Sequence, residues 1–359
     1  MRFVVLTVLG LALLATPDLP RAEAMRPKIG HVFVIVLENT GYARTFGDST
    51  EAPYLADTLA RRGLLLRRYY GTAHNSLPNY IAMISGITPT PETQADCPVF
   101  SEFVATGRGR DGQPIGRGCV YPASVRTVGD QLDAKGLRWR AYMEDMGNDP
   151  RREPARCAHP IIGQVDSTSR ATPADQYATK HNPFMYFHSI IDDRARCARA
   201  VVPLSLLEAD LVSGIDAPRF SFIVPNLCND GHDWTCASGE VGGLAAADAF
   251  LQRLVPSILA SPAFSDDGLL IITFDEAMPP DAAACCGPRS GPNTTSAGGD
   301  GPGGGRVGAV VLSPAISGGR TSDVPYDHYS LLRTVEDIFG LAHLGYAGRA
   351  DVKAIDLRR

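Results

Sequence analysis

Two apolar runs, far apart in the chain, each stop on a pair of metal- or phosphate-binding side chains. His31-Val-Phe-Val-Ile-Val-Leu37 leads straight into Glu38-Asn39, and Leu269-Leu-Ile-Ile-Thr-Phe274 into Asp275-Glu276. Short apolar, partly β-branched runs bounded by polar residues read as strands buried on both faces. Ligands of open α/β sheets lie just beyond the carboxyl ends of such strands. Three carboxylates and an amide at two strand ends are therefore expected to meet and hold a hard or borderline cation. One pair alone would read as ordinary strand-end polarity; two in the same position, with a nucleophile candidate between them, point to a site.

That candidate lies in His74-Asn-Ser76-Leu-Pro78-Asn79-Tyr80, followed by Ile81-Ala-Met-Ile-Ser-Gly86, which reads as a short helix stopped by glycine. Ser76 is predicted at or near the N-cap, with Pro78 tolerated in the first turn. The exposed N–H groups of a helix start favour an anion, and a serine hydroxyl beside a dication can attack phosphorus. Capping is the plainer job for Ser76, and the two roles are compatible.

The remaining pattern is that of one α/β domain over residues 25–359. Strands are predicted at 31–37, 65–70, 138–143, 220–225, 269–274 and 307–312, and helices at 53–62, 78–85, 125–135, 203–213, 243–260 and 328–339. Residues 91–122 and 278–306 read as long loops, and loops of that length in a compact enzyme are usually functional or mobile. The second follows Asp275-Glu276 directly and is expected to roof the site. Its Gly303-Gly-Gly305 is no P-loop, because no Lys-Ser/Thr follows.

The chain resembles the bacterial phosphoesterase family of secreted acid phosphatases and phosphatidylcholine-type phospholipases C. The matching segments are HVFVIVLENTGYARTFGD, AHNSLPNYIAMISG, KHNPFMYF, FSFIVPNLCNDGHD, LLIITFDEA and YDHYSLLRTVEDIFGL, in the family's order. Within the family, the pattern is nearest to small secreted acid phosphatases. The resemblance implies an alkaline-phosphatase-like α/β sandwich, with a central, mostly parallel sheet flanked by helices. It also implies one divalent metal ion (Ca, Mg, Mn, Zn or Fe) held by Glu38, Asn39, Ser76, Asp275 and Glu276. Where the family often has Pro between the His and Ser of the serine motif, this chain has Asn75.

Besides His31, which opens the first segment, four of the eight histidines fall in these segments: His74, His181, His232 and His328. A neutral imidazole binds metal, and a protonated one donates to phosphate oxygens or a leaving alkoxide. His232, flanked by Asp230-Gly231 and Asp233 after the apolar run Phe220–Val224, has the strongest claim. His181 and His328 are candidate phosphate donors. His31, His159, His188 and His343 read as structural.

Arg2, the apolar stretch from Phe3 to Ala15 and the small-residue site Ala22-Glu23-Ala24 read as a signal peptide over residues 1–24, so the protein is expected to be secreted or periplasmic. No later segment is apolar enough to anchor it in a bilayer. A net charge of −5 with interspersed signs argues against nucleic acid as partner. Eight cysteines in an exported chain imply disulfides. Cys228 and Cys236 bracket the His232 loop and are expected to pair. Cys97 with Cys119 and Cys157 with Cys197 are sequence neighbours, and the adjacent Cys285 and Cys286 leave a vicinal bridge or separate partners open.

The expected function is a secreted, metal-dependent acid phosphatase that cleaves small-molecule or lipid phosphate monoesters through Ser76, with an optimum below neutral pH set by protonated histidines. The alternatives are a phospholipase C-type phosphodiesterase and a non-catalytic exported phospho-ligand-binding protein. The chain ends about twenty residues after the 328–339 helix, which favours the monoesterase over phospholipases with an added C-terminal domain.

Overall fold

The computed structural model describes Met1, Phe3, Val4 and residues 28–358 apart from Pro288 and Asp300. Almost all of the predicted signal peptide lies outside these residues.

Eight strands form the central sheet: β1 (His31–Leu37), β2 (Leu64–Leu66), β3 (Trp139–Met143), β4 (Val201–Pro203), β5 (Phe220–Val224), β6 (Gly268–Phe274), β7 (Ala309–Leu312) and β8 (Arg320–Ser322). Their order is β8-β2-β7-β6-β1-β5-β3-β4. Every pairing is parallel except the two made by β7, which runs against both β2 and β6. β1 and β6 are buried along their whole length, as expected for central strands covered on both faces.

The register places the site. Leu37 pairs with Phe274, and the Asp275 N–H donates to the Leu37 carbonyl at 2.8 Å. Glu38 and Asp275 therefore leave the sheet at one level.

Two groups of helices flank the sheet. One contains α1 (Ser76–Ser85), α2 (Val128–Ala134) and α4 (His328–Phe339); the other gathers around α3 (Gly243–Ala260). α1 stops where Gly86 takes a left-handed φ of 68°, a conformation glycine adopts without cost. Asp327 and Ser330 form a reciprocal capping box at the start of α4.

Three predicted elements differ. The 65–70 strand splits into β2 and a short pairing of Tyr69–Tyr70 with Tyr326–Asp327. The 53–62 helix is a wide π-type turn over Tyr54–Leu59 before Ala60–Arg62, its opening N–H groups taken by Asp248 of α3 at 3.0 and 2.9 Å. The 203–213 helix shrinks to a 3₁₀ turn and Leu207–Leu211.

The long loops are ordered. Residues 91–122 carry an exposed hairpin, Val104–Arg108 with Pro114–Arg117. The described residues of 278–306 contain no helix or strand yet fold back over the strand ends. Gly304 exchanges backbone hydrogen bonds with Gly71 and Ala277, and the Gln94 amide donates to the Ser296 and Ala297 carbonyls. Four disulfides join Cys97–Cys119, Cys157–Cys197, Cys228–Cys236 and Cys285–Cys286. No described helix is long and apolar enough to cross a membrane.

Candidate active site

Ser76 is the first residue of α1, and Asn75 holds the N-cap position without a side-chain capping bond. The capping is done from outside: Asp96 Oδ1 accepts the Leu77 N–H at 3.0 Å. Ser76 Oγ is thus released from the local bond that serines at helix starts usually make. It donates instead to Glu38 Oε2 at 2.7 Å. Tyr80, one turn along α1, donates to Glu38 Oε1 at 2.7 Å, and Asn39 Nδ2 donates to Oε2 at 3.0 Å. Glu38 is wholly buried.

Asp275 faces the same space. Its Oδ1 accepts the backbone N–H groups of Asn39 and Glu276 at 2.9 and 2.6 Å, while its buried Oδ2 has no partner among the described residues. Asp230 and His181 complete the group. The Asp230 carbonyl accepts the Glu38 N–H at 2.8 Å, and its Oδ1 accepts the His232 N–H at 2.9 Å. His181 Nε2 lies 3.4 Å from Glu38 Oε2, and its Nδ1 lies 3.8 Å from Asp230 Oδ2. His181 Nε2 and Asp230 Oδ2 are both buried without hydrogen-bond partners among the described residues.

Burial pushes Glu38, Asp275 and Asp230 well above the usual carboxylate range, with Asp275 adding its repulsion to Glu38, Glu276 to Asp275, and Glu38 to Asp230. It pulls His181 well below the ordinary imidazole value. Buried polar atoms without partners are costly, and three around one space fit an ion. One donor atom each from Glu38, His181 and Asp230 lie within 4.8 Å of one another, a mixed oxygen–nitrogen set suited to a divalent cation.

Three sequence-predicted residues, Glu276, His74 and His328, are engaged elsewhere. The Glu276 carboxylate does not join Glu38 but is taken by His74 Nδ1. The other nitrogen of His74 donates to the Asp281 carbonyl at 3.0 Å. Burial, the largest single influence, opposes a charge on the ring, and the hydrogen bonds and charges of Glu276 and Asp281 together outweigh it and raise the His74 pKa. His328 is also committed. Its Nε2–H donates to the Asp275 carbonyl at 2.5 Å, and its Nδ1 accepts from the Tyr69 hydroxyl at 3.1 Å. Burial lowers its pKa to about 4. His328 therefore buttresses Asp275 and has no donor left for a phosphate. The pairing of His74 with Glu276 spans the fold and leaves no local trace in the sequence.

His232 stands in the loop bridged by Cys228–Cys236, its ring making no hydrogen bond among the described residues, with burial lowering its pKa. Gly231 before it has φ of 104°, a backbone conformation that favours glycine.

Asp230, Tyr80, Asp96 and Lys180 were not singled out from the sequence. Asp230 had a readable signal: it follows the buried strand β5 by a few residues, as Glu38 follows β1 and Asp275 follows β6. Lys180 Nζ donates to Asp96 Oδ2 at 2.9 Å. Beside His74, a cleft of about 400 Å³ is lined by Asn75, Gln94, Pro279, Pro280 and Gly298.

The sequence profile of the Phosphoesterase family matches residues 48–342. Over 329 residues the chain is 28% identical to a probable acid phosphatase of Kluyveromyces lactis, covering 90% of this chain and 61% of that one. Over 352 residues it is 27% identical to a phosphatidylinositol-3-phosphatase of Mycobacterium tuberculosis, covering 96% and 90% of the two chains. The chain spans about three fifths of the length of the first of these. Among solved structures, an alkaline phosphatase superfamily protein from Vibrio parahaemolyticus superposes with a TM-score of 0.53 at 13% identity, covering 93% of this chain and 72% of that one. The fold is that of this superfamily.

Proposed function

The chain belongs to the phosphoesterase family, and on that premise we propose that it is an exported acid phosphatase that hydrolyses phosphate monoesters through Ser76. The observation carrying this reading is the Ser76 hydroxyl, relieved of capping by Asp96 and donating to Glu38 at 2.7 Å beside unpartnered acid oxygens.

In the first half-reaction Ser76 Oγ attacks phosphorus while its proton passes to Glu38. The bond to the ester oxygen breaks, and the leaving alkoxide takes a proton, for which the open ring of His232 is the candidate donor. In the second half-reaction water attacks the phosphoseryl phosphorus and gives a proton to the His232 ring, the bond from phosphorus to Ser76 Oγ breaks, and Oγ takes back the proton held by Glu38 as phosphate leaves. Glu38, His181, Asp230 and Asp275 would hold the divalent cation, with Asn39 and Ser76 at its edge. Bound there, the ion would supply positive charge to the transferring phosphoryl oxygens and favour the serine alkoxide. Glu276, paired with His74, would support the cleft wall rather than the ion.

The cleft beside His74 offers room for a leaving group of moderate size, and the mycobacterial relative's name makes a phosphoinositide headgroup one candidate. Four disulfides support assembly in an oxidising compartment.

The deciding experiment compares hydrolysis of p-nitrophenyl phosphate and bis(p-nitrophenyl) phosphate by the purified protein, with and without prolonged chelation. The expected result is monoester cleavage at acid pH that chelation abolishes. Preference for the diester would favour phospholipase C-type chemistry, and no cleavage of either with retained phosphate binding would favour a binding protein.

A further inference from the structure

The acids of the site need a positive group that reaches the substrate's own phosphate oxygens. His328 has both ring nitrogens committed, to the Asp275 carbonyl and to Tyr69. His74 has both committed as well, to Glu276 and to the Asp281 carbonyl. Lys180 is placed differently. Among the described residues its ammonium meets one partner, Asp96 Oδ2 at 2.9 Å, which leaves two of three N–H donors unassigned. Its side chain is 16% exposed, so it is walled by protein without being sealed from solvent.

Asp96 fixes where that ammonium sits. One of its oxygens holds Lys180, and the other holds the N–H of Leu77, the residue after Ser76. A single carboxylate thus ties the lysine to the end of α1 where helix N–H groups favour an anion. The Lys180 charge also acts on Glu38, Asp230 and Glu276, which puts it within electrostatic reach of acids from three separate chain segments.

We propose that Lys180 is a phosphate-binding residue of this site, a cation that grips a non-bridging oxygen of the substrate, and that Asp96 is the counter-charge with which the phosphate competes for it. This rests on the phosphatase reading above. The division of labour follows from chemistry: Lys180 takes a phosphate oxygen as a point charge with rotatable donors, while Asp96 holds it in place between turnovers and surrenders part of its hold as the dianion arrives.

The test reads inhibition by inorganic phosphate and the kcat/KM for p-nitrophenyl phosphate in two variants, each checked for folding by thermal melting. Lys180→Met is expected to weaken phosphate inhibition roughly tenfold or more and to lower kcat/KM about 10²-fold, with Lys180→Arg recovering part of both. Asp96→Asn is the sharper variant. Asp96 has φ of 57°, a left-handed conformation that Asn tolerates as Asp does, and its amide oxygen can still accept the Leu77 N–H. Removing only the counter-charge frees the ammonium, so phosphate inhibition is expected to tighten several-fold. A purely structural tie predicts the reverse, with both variants weakened alike. The proposal is overturned if folded Lys180→Met keeps wild-type phosphate inhibition, or if Asp96→Asn weakens it. Should Lys180→Met not fold, Asp96→Asn alone decides. If the wild-type protein cleaves no monoester, the functional reading falls, while calorimetric binding of inorganic phosphate to the same variants still settles the role of Lys180.

Discussion

Among the buried charges of this protein, two clusters are finished in opposite ways. Below α4, Arg289 is 1% exposed; it donates to Asp327 Oδ2 at 2.7 Å and Asp351 Oδ2 at 3.0 Å, with the Tyr329 ring 5.7 Å from its guanidinium carbon. Acid and base were buried together. At the ends of β1, β5 and β6, Glu38, Asp275 and Asp230 are buried together, and one oxygen of Asp275, one of Asp230 and His181 Nε2 have no partner among the described residues. Burying a charge without a partner is expensive. The first cluster fixes the anchor of the 278–306 loop; the second is kept destabilised, and such unresolved strain is characteristic of places where chemistry happens.

The largest effect belongs to the second cluster. Ser76→Ala is expected to lower kcat roughly 10⁴-fold or more while melting within a few degrees of wild type, because the hydroxyl supports no helix cap. A Ser76→Ala enzyme with near wild-type turnover would remove the reason to regard this cluster as a site.

Arg289→Met should show the reverse profile. It strands the Asp327 carboxylate in the core at a cost of about 3–5 kcal/mol, read as a Tm loss on the order of 10 °C, with kcat per folded molecule at 25 °C little changed. If activity fell while Tm held, the two clusters would have to exchange roles.

Asp275→Asn separates the clusters by sign. Removing one acid from a set with no counter-ion should raise the Tm of chelated protein by a few degrees, at about 2–4 °C per kcal/mol, while activity drops. Metal addition should stabilise the wild type more than the variant. A lower Tm in chelator would mean that Asp275 is already compensated.

Glu336 is the control: a buried acid outside both clusters, with Oε1 accepting the Leu344 N–H at 2.8 Å and Oε2 unpartnered among the described residues. Burial lifts its pKa from 4.5 to about 8. Folding therefore favours the protonated form. That contribution is complete below pH 4.5 and is lost as pH rises through about 8. Glu336→Gln should match wild type near pH 4 and melt a few degrees higher at pH 8. Parallel Tm curves across that range would count against it.

The sequence made the centre of this fold legible because strands buried on both faces advertise themselves. β1 and β6 were readable as apolar runs, and α3 and α4 match the predicted 243–260 and 328–339. The three-residue strands β4 and β8 were missed because a run that short carries no periodicity. In the site, Glu38, Asn39, Ser76 and Asp275 came from one rule, the polar residue after a buried strand or at a helix start. Glu276 and His328 obeyed similar rules, yet their side chains turn to His74 and to the Asp275 carbonyl. Local sequence places a residue at the edge of a space; which neighbour takes its polar atoms is decided by chain segments hundreds of residues away. The phosphate-gripping role expected of protonated histidines met the same limit. His181 and His328 lie too deep to hold a proton easily, and nothing in a sequence reports depth.

β7 runs against β6, and that reversal has an evolutionary consequence. The chain leaves β6 at the end where the reactive groups gather, and an antiparallel neighbour must be entered from that same end. The two ends of the connection that follows Asp275 and Glu276 therefore lie at one rim, whereas a parallel partner would have required a crossover to the opposite rim. Lengthening or replacing this segment shifts no register in the sheet and displaces no strand-end acid. The protein carries an exchangeable module beside its reactive serine, and relatives could diverge in what they admit by rewriting that stretch alone.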